Sequence, residues 1–121
     1  MHDTSAGLRI RIVFGAQAML GPGKAELLEL IGETGSISAS GRRMGMSYKR
    51  AWMLVETLNA MFSEPLVASS RGGPGGGGAV LTPAGQKVLQ LYRELELAAA
   101  SAGAAQLEAL QARLRPANPA K

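Results

Sequence analysis

Residues 36–62 read SISASGRRMGMSYKRAWMLVETLNAMF, two short helices around a tight break. Ser36 stands where it can cap the first helix, and Ile37 and Met44 point from that helix toward a core. Gly45-Met46-Ser47 interrupts the pattern. Glycine takes the left-handed conformation that ends helices, and the Ser47 hydroxyl can accept from a free backbone N–H at the start of the next. In the second helix Ala51, Leu54, Val55, Leu58, Met61 and Phe62 keep the three-and-four spacing of one buried stripe. Its first turn, Ser47, Tyr48, Lys49 and Arg50, buries nothing. A buried rear and a cationic front on the second of two helices is how a helix-turn-helix offers a recognition helix to the major groove. The unit does not decide function alone, because helix pairs of this kind occur in proteins that never meet nucleic acid.

Within the first helix Ala39, Ser40 and Gly41 are small. Glycine inside a helix costs roughly 1 kcal/mol relative to alanine, and close approach of the next helix would offset it. Ser38, Arg42 and Arg43 face solvent or DNA, and a merely solvated face explains each of them as well as a contact does. Met53 faces the same way as Lys49 and suits a thymine methyl. Trp52 either covers the edge of the core or lies against a duplex, and its spacing favours the core edge.

Beyond Pro65, residues 66–70 and 79–82 are short strand-like runs flanking Arg71-Gly72-Gly73-Pro74-Gly75-Gly76-Gly77-Gly78. They read as a hairpin with a small-residue tip, the wing of a winged helix. Such a tip can bring its backbone close to a sugar-phosphate ridge; the alternative is a structureless linker over Gly75–Gly78. The glycines contain G-x-G-x-x-G from Gly73 to Gly78, but a strand follows where a dinucleotide site needs a helix, and the Gly-Lys-Ser/Thr ending of a phosphate loop is missing.

Upstream, Leu8, Ile10, Ile12 and Phe14 alternate with Arg9, Arg11 and Val13, which predicts a half-buried strand with the arginines solvating its outer face. Gly21-Pro22-Gly23 reads as a turn. Lys24–Thr34, with Leu27, Leu28, Leu30 and Ile31 on one arc, reads as a scaffold helix ended by Gly35. Downstream, Thr82-Pro83 opens a long helix. Val88, Leu91, Leu95, Ala98, Ala102 and Ala105 form a heptad seam on it, and Leu107, Leu110 and Leu114 resume the seam after a phase shift near Gly103. So small a domain cannot cover that seam, so a second copy is expected to.

The chain has 121 residues, enough for one domain with a projecting element, and 46% of them are hydrophobic. The net charge of +4 favours an anionic partner mildly. The surplus sits on the helix pair and hairpin, with Arg42, Arg43, Lys49, Arg50 and Arg71 against Glu56 and Glu64. There is no cysteine, no charged leader with an apolar run and no membrane-length apolar stretch, so a cytoplasmic location is expected. The only histidine is His2, and no carboxylate pair or ligand cluster stands out, so neither an enzyme nor a cofactor or metal site is expected.

The runs GSISASGRRMGMSYKRAWMLVETLN, EPLV and SRGGPGGGGAVLTPAGQ resemble the N-terminal DNA-binding domain of bacterial ModE-type molybdate-responsive regulators, winged helix-turn-helix proteins related to the LysR type. The resemblance covers roughly Leu8 to Tyr92. It implies a homodimer whose recognition helices enter successive major grooves, with DNA contact at Ser47, Tyr48, Lys49 and Arg50 and a wing role for Arg71, Gly72 and Gly73. Many relatives bind molybdate through a C-terminal domain with a Ser-Ala-Arg-Asn-Gln-like motif. This sequence has no such stretch, so molybdate binding by this chain is not expected and the link to molybdenum metabolism stays open.

The expected architecture is mainly α with a small β-hairpin wing. Residues 1–82 form the winged helix-turn-helix, with the helix pair at 36–63 and the wing at 66–82. Residues 83–115 form a dimerisation helix carrying Val88, Leu91, Leu95, Ala98, Ala102, Leu107 and Leu110 at the interface, and 116–121 a tail. The expected function is that of a homodimeric, sequence-specific regulator of transcription binding double-stranded DNA. Arg42, Lys49 and Arg71 would hold phosphates; Arg50 and Tyr48, with Lys49 shared, would read bases; Ser38 and Met53 would lie beside them. The alternative is a winged-helix adaptor for other proteins without specific DNA binding.

Overall fold

The computed structural model describes residues 7–70 and 78–116. Its elements run β1 (Ile12–Val13), β2 (Met19–Leu20), α1 (Pro22–Thr34), α2 (Ile37–Arg43), α3 (Tyr48–Met61), β3 (Val67–Ser70), β4 (Gly78–Leu81), α4 (Pro83–Ala102) and α5 (Ala104–Ala112). Helices with a small antiparallel hairpin, β3 against β4, make a winged helix-turn-helix, as the sequence predicts. Val67 lies opposite Leu81 and Ser70 opposite Gly78.

The core gathers Leu27, Leu28 and Ile31 from α1, Val55 and Leu58 from α3, Leu66 and Val67 at the hairpin base, Ala79 from β4 and Tyr92 from α4. Each fully buried Leu or Ile stabilises by about 1.5–3 kcal/mol over exposure. These side chains therefore dominate, and the polar contacts set geometry.

The helix boundaries are held by the residues the sequence marks for that task. Ser36 accepts from the Ala39 N–H, Ser47 from the Arg50 N–H, and Thr82 from the Gly85 N–H. Gly35 and Gly45 take left-handed φ values of 71° and 75° where α1 ends and where α2 turns into α3. The small residues of α2 have the expected use: a Cβ on Gly41 would stand 2.8 Å from Ala51 Cβ, so glycine lets α2 and α3 approach. Buried Ser40 donates to Ser36 O and bonds the Thr34 hydroxyl, tying the end of α1 to the start of α2.

Three features differ from the sequence reading. The strand expected over Leu8–Phe14 shrinks to β1, paired only with β2, because α1 begins directly after Leu20 and leaves no longer partner. Leu8 and Phe14 are exposed, and Phe14 packs edge-on against Phe62, with ring centroids 6.2 Å apart. The turn read at Gly21-Pro22-Gly23 is the first turn of α1, with Gly21 as its cap and Pro22 at its first position. The helix expected over 83–115 breaks at Gly103 into α4 and α5. Its first half belongs to the core: Tyr92 is buried and donates to the Ile10 carbonyl, and Val88 and Leu89 pack on the core cluster.

Candidate nucleic-acid interface

The first two turns of α3 present an exposed front over a buried rear. Ala51, Val55 and Leu58 are buried on the rear face. On the front, Tyr48, Lys49, Arg50, Trp52 and Met53 are exposed. Ser47, Lys49, Arg50 and Met53 line one shallow hollow along α3. Lys49 and Met53 thus share a side, as their spacing requires. Among the described residues neither Lys49 nor Arg50 has an ion-pair partner, whereas Arg43 lies 3.7 Å from Glu33 and Arg93 bridges Glu29 and Glu96. Among the described residues, nothing occupies the side-chain donors of the α3 cations.

Trp52 departs from the expected core edge. It is 39% exposed, and its ring stacks on Tyr48 with centroids 6.4 Å apart and planes 18° from parallel. One α3 turn separates the two rings, so the helix aligns them. They line a second hollow with Ser36, Ile37 and Ser38 of the α2 end and with Ser69, Gly78 and Ala79 of the hairpin. Ser38 and Arg42 sit on the same exposed side of α2, where Arg42 Nη1 donates to Ser38 Oγ at 3.3 Å.

The hairpin is docked by bonds that sequence reading missed. Asn59 Oδ1 accepts from the Leu66 and Val67 N–H groups at 2.8 and 3.0 Å, and its amide donates to the Val67 carbonyl. The Ala79 N–H donates to Gly35 O, and a Cβ on Gly78 would lie 2.7 Å from that same oxygen. A Cβ on Gly85 would lie 2.1 Å from Leu66 O. Glycine at these points allows the hairpin to seat against α1 and α4. Asn59 carried one available signal, a polar side chain on the inner half of α3 followed by Pro65. Arg71, Gly72 and Gly73, expected at the wing tip, lie outside the described residues.

Elsewhere, α4 and α5 expose Leu91, Leu95, Leu97, Leu110 and Leu114, and α5 buries no residue. Of the expected seam, Ala98 and Ala102 are exposed, Val88 is partly buried against the core and Leu107 is partly buried. Leu97, at 72% exposure, lies off that seam.

The sequence pattern of the bacterial regulatory helix-turn-helix proteins of the lysR family matches residues 24–86. The chain is 48% identical to the molybdenum-pterin-binding protein MopB of Rhodobacter capsulatus over 79 residues, 65% of this chain and 29% of that protein. It is 44% identical to the molybdenum transport protein ModE of Herbaspirillum seropedicae over 70 residues, 58% of this chain and 26% of that one. With the DNA-binding transcriptional dual regulator ModE of Escherichia coli (strain K12) it shares 45% over 71 residues, 59% of this chain and 27% of that one. The chain thus spans under a third of the length of these relatives.

Proposed function

The chain belongs to the lysR family of bacterial regulatory helix-turn-helix proteins, a family of DNA-binding regulators and not an enzyme class, and from that premise we propose that it reads duplex DNA sequence as a homodimer in the manner of the ModE proteins. The observation that carries this reading is the front of α3. Its cations are unpaired among the described residues, its aromatic pair is aligned and exposed, and the helix behind it is rigidly packed.

Lys49 and Arg42 hold phosphates, with Arg71 of the wing beside them, and Gly72 and Gly73 let the wing backbone approach the duplex. Arg50 reads a guanine edge, Tyr48 and Ser47 contact the groove wall, Met53 meets a thymine methyl, and Ser38 steadies Arg42. The reading domain is residues 1–82 completed by the core-packed first half of α4, and the exposed face of α4 with α5 is the dimer-forming part of 83–115. Leu91, Leu95, Ala98 and Ala102 of α4 meet their twofold mates, continued by Leu107 and Leu110 of α5. A nine-residue helix with no buried residue is marginal alone, and a partner helix supplies what it lacks. The names of the relatives point to molybdenum metabolism as the regulated process. Molybdate itself is not a ligand of this chain; calorimetry with molybdate checks that.

Fluorescence anisotropy of labelled duplexes, titrated across salt, tests the proposal. A reader making six to ten phosphate contacts loses about 10³–10⁵ in affinity between roughly 50 and 200 mM salt. An adaptor for other proteins shows no duplex binding at any of these concentrations.

A further inference from the structure

The two arginines near the N-terminus part company in the fold. Arg9 opens into a hollow with Glu26, Glu29, Glu33 and Glu96, where carboxylates outnumber cations. Arg11 opens into a different one of about 240 Å³, on the other side of Pro22. That hollow is lined by Arg11, Lys24 and Arg50, by Met19, Met44, Met46 and Leu54, and by no carboxylate. Three elements deliver the three cations: the segment before β1, the first turn of α1, and the first turn of α3.

The Arg11 stem passes beside Gly21, where a Cβ would meet Arg11 Cγ at the ordinary contact distance of 3.7 Å. Lys24 Nζ donates to the Met19 carbonyl at 2.8 Å, which fixes the ammonium at the rim and leaves two of its three protons for another acceptor. Among the described residues Arg11 and Arg50 have no side-chain partner. The hollow thus offers three cationic groups and no carboxylate to an anion from outside.

We propose that Arg11 and Lys24, beside Arg50, form a second phosphate clamp that grips the DNA backbone on the side of the recognition helix away from the wing. The ligand is a phosphodiester of the duplex and not a free small anion, because Arg50 belongs at once to this hollow and to the exposed front of α3. The clamp rests on the reading of α3 as the DNA-facing helix. It would fix how far α3 enters the groove, with the wing fixing the other side.

The test is Arg11→Gln, with Arg9→Gln as the control that removes an equal charge from the acidic hollow. Both proteins are checked for fold by circular dichroism and titrated by anisotropy, over a salt series, onto a duplex enriched from a random pool and onto an unrelated one. Arg11→Gln should weaken both duplexes severalfold and by the same factor, leaving base preference unchanged. It should flatten the plot of log affinity against log salt by about 0.9 per protomer, and Arg9→Gln should not. Added inorganic phosphate should compete with wild type no better than chloride does at equal ionic strength. Wild-type affinity and slope in Arg11→Gln would overturn the clamp alone. Altered preference at one base pair would make Arg11 a base reader, and strong competition by phosphate would make the hollow a small-anion site; either overturns it. A wild-type protein that binds neither duplex overturns the clamp together with the reading beneath it.

Discussion

Arg50 joins the two faces of α3, lining both the outer hollow with Lys49 and Met53 and the cationic hollow with Arg11 and Lys24. Arg50→Ala should cost about 1–3 kcal/mol and relax preference at one base position if the guanidinium is bidentate to guanine. Equal weakening on all sequences, measured by competition between duplexes, would make it a phosphate contact. Asn59 has the opposite task. It satisfies three backbone groups of the hairpin base, one of them on fully buried Leu66. An unsatisfied buried donor costs about 1–3 kcal/mol, so Asn59→Ala should lower unfolding free energy in urea by about that amount or more. An unchanged midpoint would show that water replaces the amide. At this scale the caps Ser36, Ser47 and Thr82 and the turn at Gly45 were legible, because each is a local rule about one backbone conformation. Trp52 and Asn59 were not. Periodicity assigns a face, and what stands on that face depends on an element that arrives from elsewhere in the chain.

Element by element, the same contrast between local and distant holds. The α1, α2 and α3 stripes were readable because each helix supplies its own period. The strand over Leu8–Phe14 was not, because a strand exists only with a neighbour and β2 offers two residues. The Leu8–Ile12 segment is anchored instead by α4, through the bond from Tyr92 to Ile10 O. Burial, and after it the nearby Glu96 carboxylate, push the Tyr92 hydroxyl above the usual tyrosine value, against the opposing pull of Arg93 and Arg9. The folded state therefore holds this proton more tightly than the unfolded chain does. The stability it contributes is complete below about pH 10 and is lost as pH rises through the folded value. Denaturation midpoints from about pH 8 to about pH 11 should fall more steeply for wild type than for Tyr92→Phe. Parallel curves would contradict the anchoring role.

For the whole molecule, the front of α3 carries aromatic rings and cations unpaired among the described residues, and α4 and α5 carry uncovered leucines. The two belong to one account if the leucine face makes a twofold axis that sets two α3 helices about 34–36 Å apart, one turn of B-DNA. The charge-bearing variant Leu95→Glu should stay folded by circular dichroism, sediment as a monomer, and bind duplex far more weakly for want of the second half-site. A folded Leu95→Glu dimer at low micromolar concentration would move the interface to another surface. The heptad seam foretold an uncovered face and a phase shift near Gly103, where α4 gives way to α5, but the outlying Leu97 did not follow from it, since that depends on how α4 lies against the body. Whether this fold reads DNA sequence in pairs is decided by selecting bound duplexes from a random pool with the wild-type protein. A paired reader enriches a site with twofold symmetry and half-sites about 10–10.5 base pairs apart. A pool that leaves selection as random as it entered would contradict paired reading.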